Sequence, residues 1–388
     1  MAAAQVFWAF LKLGCTSFGG PSAHIGYFRN TFVSRLGWLS EARYGELVAL
    51  GQFLPGPASS QVGFAIGLER AGALGGLAAW LGFTLPSALI MLLAAFGLAS
   101  LPAEWLPGIV HGLKLVAVAV VLHAVQGMAA GLCRDRFHKL LAVGVLVLAL
   151  LLPGVAGQLS GLVLAGLAAL LWASPVAAQA PPPEPSPRLG ITPFALIVLA
   201  VALLLLMPLA ATIGVPVAAM AEPFYRAGAL VFGGGHVVLP FLETATVGRS
   251  WLSSGDFLAG YGVAQAIPGP LFTFAAYVGA MSHGLIGGIV ALVAVFLPGG
   301  LLMAGVLPLW TRLSARPGLR RALGGVNAGV VGVLAAALYN PLWTGSVSRA
   351  EDVTAVAIGW SMLQLAKWPS WTVALAGLAY GLSLAAIP

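Results

Sequence analysis

"FGGPSAHIGYF", residues 18–28, closes an apolar run that starts near the first residue. Two adjacent glycines and a proline break a helix. A break at membrane depth is tolerated only where the backbone is buried in protein or lines a polar cavity. The same device returns in "FGGGHVVLP", residues 232–240, so that Phe18-Gly19-Gly20 recurs 214 positions later as Phe232-Gly233-Gly234. Three further matches recur 213 positions later. Trp38-Leu39-Ser40 becomes Trp251-Leu252-Ser253, Gln52 with Pro55-Gly56-Pro57 becomes Gln265 with Pro268-Gly269-Pro270, and Gly112 becomes Gly325. One residue of slip with the order kept is the mark of a duplication, so the chain reads as two copies of one unit.

The composition says where that unit lives. Of 388 residues, 60% are hydrophobic and 7% charged, with a mean hydropathy of +0.99. A soluble domain carries roughly a quarter charged residues. Several apolar stretches have the ~20-residue length that spans a bilayer, and the ~10-residue alternation of a β-barrel is missing. The fold class expected is an all-α polytopic integral membrane protein, with the lipid bilayer as its solvent. The start has no basic segment and no small-residue cleavage site, which predicts no removable signal peptide. The net charge of +7 reflects Lys and Arg held in cytoplasmic loops, not a nucleic-acid partner. Cys15 and Cys133 lack a CxxC or a nearby His cluster, so no metal or cofactor is expected.

Residues 175–187, "PVAAQAPPPEPSP", hold six prolines and read as a stiff extended spacer. The expected organisation is a repeat over 1–174, a proline-rich cytoplasmic linker over 175–192, an extra span at 193–213 and a second repeat over 214–388. Uninterrupted spans are expected at 72–98, 107–131, 138–153 and 156–173, then at 193–213, 285–311, 322–343, 353–366 and 368–387. Four apolar stretches, 5–27, 45–66, 219–242 and 257–280, are broken by Gly and Pro. As re-entrant hairpins they leave about nine crossings, and as kinked full spans about thirteen.

The extra span predicts that the second copy is inverted. Charge agrees. Arg134, Arg136 and Lys139 cluster in the first copy, while Arg312, Arg316, Arg320 and Arg321 cluster one span earlier within the second. Placing both clusters in the cytoplasm turns the copies opposite ways. Inverted repeats with broken helices characterise alternating-access transporters with a midplane site.

A broken helix offers free N–H groups and a positive dipole end, and glycine lets an anion approach them. The candidate site residues follow. Lys12 and Arg226 each lie six residues before a glycine break and are 214 positions apart; cations at depth are usually functional. Phe18, Gly19, Gly20, Pro21, Pro55, Gly56 and Pro57 form the first copy's breaks, and Gly233, Gly234, Gly235, Pro268, Gly269 and Pro270 the second's. His236 follows directly on the glycines and outranks His24, His111 and His123 as a donor or proton carrier. Gln52, Gln265, Lys114 and its counterpart Asn327 complete a set that suits binding of an anion. No HExxH, paired Asp cluster or Ser-His-Asp set is present, which argues against an enzyme.

These stretches, with "WLSEARYGELVALGQFLPGP", "WLSSGDFLAGYGVAQAIPGPLFTFAAYVGA" and "GGVNAGVVGVLAAALYNP", resemble the chromate transporter family in its long, two-domain bacterial form. The resemblance covers both halves outside the linker, and the second copy follows the family pattern more fully. It implies a multi-pass transporter of the bacterial inner membrane that exports chromate, a tetrahedral dianion shaped like sulfate, and so confers chromate resistance. The family's FGGP falls on Phe18 to Pro21, its FGGG on Phe232 to Gly235, its PGP motifs on Pro55 to Pro57 and Pro268 to Pro270, and its leading basic residue on Lys12. In the expected mechanism Lys12 and Arg226 neutralise the anion, glycine N–H groups hold its oxygens, and the halves rock around it. A transporter or channel for sulfate or another anion is the alternative, and a homodimer is left open.

Overall fold

The computed structural model describes residues 2–18, 20–99, 105–152, 155–172, 193–232, 238–310 and 316–386. The expected linker at 175–187 lies outside the described residues. Among those described, the secondary structure is helical and no strand is present. The first copy comprises α1 (Ala2–Thr16), α2 (Gly20–Phe28), α3 (Glu41–Phe53), α4 (Ala58–Ala99), α5 (Leu106–Leu132), α6 (Arg136–Leu151) and α7 (Val155–Trp172). The extra helix is α8 (Pro193–Thr212). The second copy comprises α9 (Pro216–Leu230), α10 (Val238–Thr246), α11 (Ser254–Ala266), α12 (Phe274–Val306), α13 (Pro317–Ala337), α14 (Ala350–Gln364) and α15 (Ser370–Ala386).

The broken segments fold back on themselves. The Phe10 ring lies 5.4 Å from Phe28 and 4.7 Å from Phe32. Residues 18 apart on a straight helix would be about 27 Å apart, so the chain turns between them, at the glycines. Arg43 Nε donates to Glu69 Oε1 at 2.8 Å, which places the next turn at Pro55-Gly56-Pro57. In the second copy Arg249 reaches Glu222 at 3.0 Å and the Tyr277 hydroxyl donates to the Asp256 carbonyl at 3.0 Å. The legs of α1, α3, α9 and α11 have 13 to 15 residues. A 15-residue leg is about 22 Å long, short of the ~30 Å hydrocarbon core. All four segments are therefore helical hairpins whose legs are shorter than the hydrocarbon core.

Both long helices also contain a reversal. α4 turns at Ala71–Gly72 and α12 at His283–Gly284, with the glycines at φ +61° and +65°. A methyl built on Gly67 would sit 2.2 Å from the Gly75 carbonyl oxygen, and one on Gly279 2.3 Å from that of Gly287. Only glycine allows arms this close. The repeated Trp packs on each tip: Trp38 lies under the Arg70 guanidinium at 5.0 Å, and Trp251 meets the His283 ring at 4.6 Å. The repeated Ser caps the next helix, Ser40 accepting from the Arg43 N–H and Ser253 from the Asp256 N–H.

Small residues bring the halves together, as in membrane helix packing generally. The second arms of α4 and α12 cross antiparallel, with Trp80 6.0 Å from Phe296 and Leu92 against Gly288. The C-terminal hairpins are exchanged. α15 packs on α5, where a methyl on Gly112 would lie 2.0 Å from the Gly377 oxygen; α7 packs on α13, where one on Gly325 would lie 2.2 Å from the Ala165 oxygen. The Gly112–Gly325 match in sequence is thus a reciprocal contact in space. α8 is apolar and largely exposed, and it packs on α9 and α12.

Candidate functional site

The breaks of one copy are fastened to those of the other. The Gly269 N–H donates to the Ser17 carbonyl at 3.0 Å, and the Gly56 N–H donates to the Val231 carbonyl at 2.6 Å. Each bond joins a PGP turn to the residue that enters the opposite FGG break. Gly56 and Gly269 sit at φ +125° and +96°, where a side chain is strained. This overturns one expectation: those two N–H groups are spent within the protein and are not free for an anion. The Leu13 and Leu50 carbonyls accept from Ser17 and Leu54 and finish the legs on either side. Gly20, at φ +74°, opens α2, and Pro21 follows inside it.

Around the Ser17–Gly269 junction the first copy supplies buried polar side chains. His24, 1% exposed, sits beside the Ser17 backbone, and its Nδ1 meets Ser59 Oγ at 3.2 Å. The ring stands edge-on to Phe83, 5.1 Å between centres. From the same stretch of α4, Ser87 Oγ donates to the Thr84 carbonyl at 3.0 Å and would lie 2.7 Å from a methyl on Gly269. Among the described residues Ser17 Oγ, His24 Nε2 and Thr84 Oγ1 have no partner meeting hydrogen-bond geometry. At the Gly56–Val231 junction, Gln61 Nε2 donates to the Pro55 carbonyl at 2.9 Å and to that of Gly299 at 3.3 Å. Pro57 and Gln61 also line an apolar groove of about 380 Å³ between α4, α8 and α12.

The predicted charges separate. Arg226 Nε lies 3.1 Å from Glu222 Oε1, an ion pair outside hydrogen-bond geometry, and Arg249 bonds the other carboxylate oxygen. Glu222 is buried, so two guanidinium groups share one carboxylate and the cluster keeps one net positive charge. Lys12 is exposed on α1 and forms no ion pair among the described residues. Lys12 and Arg226, equivalent in sequence, therefore have different surroundings. Gln52 is exposed at the end of α3, whereas Gln265 is buried with Nε2 unpaired. Lys114 lies against Gly255 at the start of α11. Asn327 is half-buried on α13 with an unpaired Oδ1. Phe18 packs near Trp371, their rings 6.5 Å apart, and Pro268 and Pro270 flank the Gly269 turn. Gly19, Gly233, Gly234, Gly235 and His236 lie outside the described residues.

Sequence reasoning missed Ser17, Ser59, Thr84, Ser87, Glu222 and Arg249. Glu222 carried a signal, a carboxylate inside an apolar stretch. The hydroxyls carried none alone, since Ser and Thr are common in membrane helices.

Comparison with known proteins identifies the family. The chromate transporter family profile matches twice, over residues 4–221 and 218–382. The "Chromate transport protein" of Pseudomonas aeruginosa is 31% identical over 93% of this chain and 85% of its own length. The "Probable chromate transport protein" of Synechococcus elongatus is 28% identical over 86% and 83%, and the "Chromate transport protein" of Cupriavidus metallidurans 28% over 86% and 81%. No solved structure matches. With both halves matched and a relative of this identity covered almost end to end, the chain is a multi-pass membrane protein that belongs to the chromate transporter family.

Proposed function

We propose that this protein exports chromate across a bacterial inner membrane by alternating access between two inverted halves, and so confers chromate resistance. The observation that carries the reading is the double family match over halves whose broken hairpins fasten reciprocally at Ser17–Gly269 and Val231–Gly56. Inversion draws support from the antiparallel crossing of α4 and α12, which are equivalent by sequence. It also draws support from Gly324 of α13 lying against His138 at the start of α6, which puts Arg136 and Lys139 at the same end of the molecule as Arg320 and Arg321. That end is the cytoplasmic one.

The junctions are the natural hinge and site. They join the two halves through single hydrogen bonds that a rocking motion can break and remake. Phe18, Gly20, Pro21, Pro55, Pro57, Pro268 and Pro270 frame them, and the glycines of the FGG breaks supply N–H groups to the oxyanion. The net positive charge of the Glu222–Arg226–Arg249 cluster favours entry of an anion. An inside-negative potential drives a dianion outward by ~2.3 kcal/mol per charge per 100 mV.

Uptake of labelled chromate into everted membrane vesicles tests this. Vesicles holding the protein should accumulate chromate above empty-membrane controls, with sulfate competing weakly. Equal or faster sulfate movement would assign the transporter to another anion, and no movement of either would overturn the reading.

A further inference from the structure

The two junctions are equivalent in backbone but not in side chains. The first copy places Ser17, His24, Ser59, Thr84 and Ser87 at the Ser17–Gly269 junction, each at most 3% exposed. At offsets of 214, 213 and 212 along the repeat, their counterparts are Val231, Val238, Phe272, Phe296 and Gly299. The 212 offset on α4 and α12 is fixed by Pro86 with Pro298 and by the turn glycines Gly72 with Gly284. Every hydroxyl and the imidazole of this set are replaced by carbon or hydrogen. The second copy's nearby Thr273 spends its hydroxyl on the Pro270 carbonyl at 2.8 Å.

Burying unpartnered polar groups costs free energy. Three lie at one junction, among the described residues: Ser17 Oγ, His24 Nε2 and Thr84 Oγ1. Scattered packing hydroxyls would not collect on one side of a two-fold repeat. All three can donate a hydrogen bond. When Ser59 donates to Nδ1 of His24, the imidazole proton resides on Nε2, which makes that nitrogen a donor too. Donors without acceptors are what an oxyanion requires. A chain amide such as that of Gly269, already bonded to Ser17, would only position the loop.

We propose that Ser17, His24 and Thr84 of the first half are side-chain ligands of the transported oxyanion. Ser59 sets the histidine tautomer, and among the described residues the equivalent positions of the second half, Val231, Val238 and Phe296, form an apolar wall, with Gln265 Nε2 the buried unpaired donor that half holds ahead of its Pro-Gly-Pro turn. The inference rests on the transport reading and narrows it to one asymmetric site instead of two equivalent ones. The asymmetry also gives the oxyanion one well-defined seat in a hinge whose backbone is two-fold.

The test is equilibrium binding of labelled chromate, with sulfate in parallel, to the full chain in lipid nanodiscs. Ser17→Ala and Thr84→Val should each weaken binding about tenfold, the loss of one hydrogen bond to a charged group. His24→Leu should weaken it as much, and His24→Gln, whose amide nitrogen reaches the Nε2 position, should restore it. The mirror change Val238→Thr should leave affinity within about twofold, because a new hydroxyl there meets no ligand. First-half variants that bind like wild type, in protein that transports chromate, overturn the first-half site and leave the function standing. Weakening by the mirror change alone would overturn it as well. Wild-type protein that neither binds nor moves chromate would overturn the transport reading itself.

Discussion

The Gly269 N–H donates to the Ser17 carbonyl at 3.0 Å, joining the second half's Pro-Gly-Pro turn to the first half's helix break. The symmetry mate, Gly56 to Val231, is present too. Each half therefore completes the other's broken helix, and neither can be displaced without loosening both junctions.

The Gly269 turn tolerates no side chain. At φ +96° an alanine costs roughly 1–2 kcal/mol in backbone strain, and its methyl would lie 2.7 Å from Ser87 Oγ. Gly269→Ala should lower the thermal midpoint of the purified protein and abolish vesicle transport. Ser87→Gly, the residue already found at the counterpart Gly299, should return the steric part of the lost stability but not the strain.

Glu222 holds two cations. Glu222→Gln leaves Arg226 and Arg249 without their carboxylate. Breaking a buried pair costs ~3–5 kcal/mol, and because the arginine side chains are 32% and 42% exposed, about 1–3 kcal/mol is expected. The double variant Glu222→Gln/Arg226→Gln should recover part of it. Thermal unfolding of the three proteins measures the difference, and a double variant no better than the single would remove the ion-pair explanation.

Exchange of the C-terminal hairpins depends on glycine. Gly112→Val and Gly325→Val each drive a side chain into a carbonyl of the opposite half and should cost upwards of about 1–3 kcal/mol. Gly144→Ala on α6, with nothing within 4 Å, should be neutral or stabilising by roughly 0.5–1 kcal/mol. Heat-induced loss of monodisperse protein on size exclusion separates the two classes.

Acid should loosen the α5–α6 turn slightly. Asp135 caps α6; the His138 backbone N–H, at 2.9 Å, and then its ring hold the carboxyl below the usual carboxylate range. A depressed carboxylate stabilises the fold above its unfolded pKa, and that contribution is lost as pH falls through the lower folded value. The group is exposed, with 59% of its side-chain surface open, so solvent screens it and the loss should be small. Hydrogen exchange at the first turn of α6 should rise below pH 4 or so, and Asp135→Ala should show the fast exchange at every pH.

The sequence by itself determined the class, the duplication and the places where helices break. Composition alone excludes a water-facing surface, and motifs repeated 213 and 214 positions apart survive without any fold in view. Only the tertiary structure decided what meets what. Glycine motifs say that backbones approach closely, but not whether the partner is within the unit or across it. Gly112 finds Gly377 and Gly56 finds Val231 because the halves interlock, a long-range fact with no local signature. For the same reason Lys12 and Arg226, equal in sequence, part company in space. The residue aligned with Glu222 in the first copy is Trp8, so only one cation gains a buried carboxylate. The polar lining of one junction was visible letter by letter, yet it gained meaning once the fold drew α2 and α4 to the same turn.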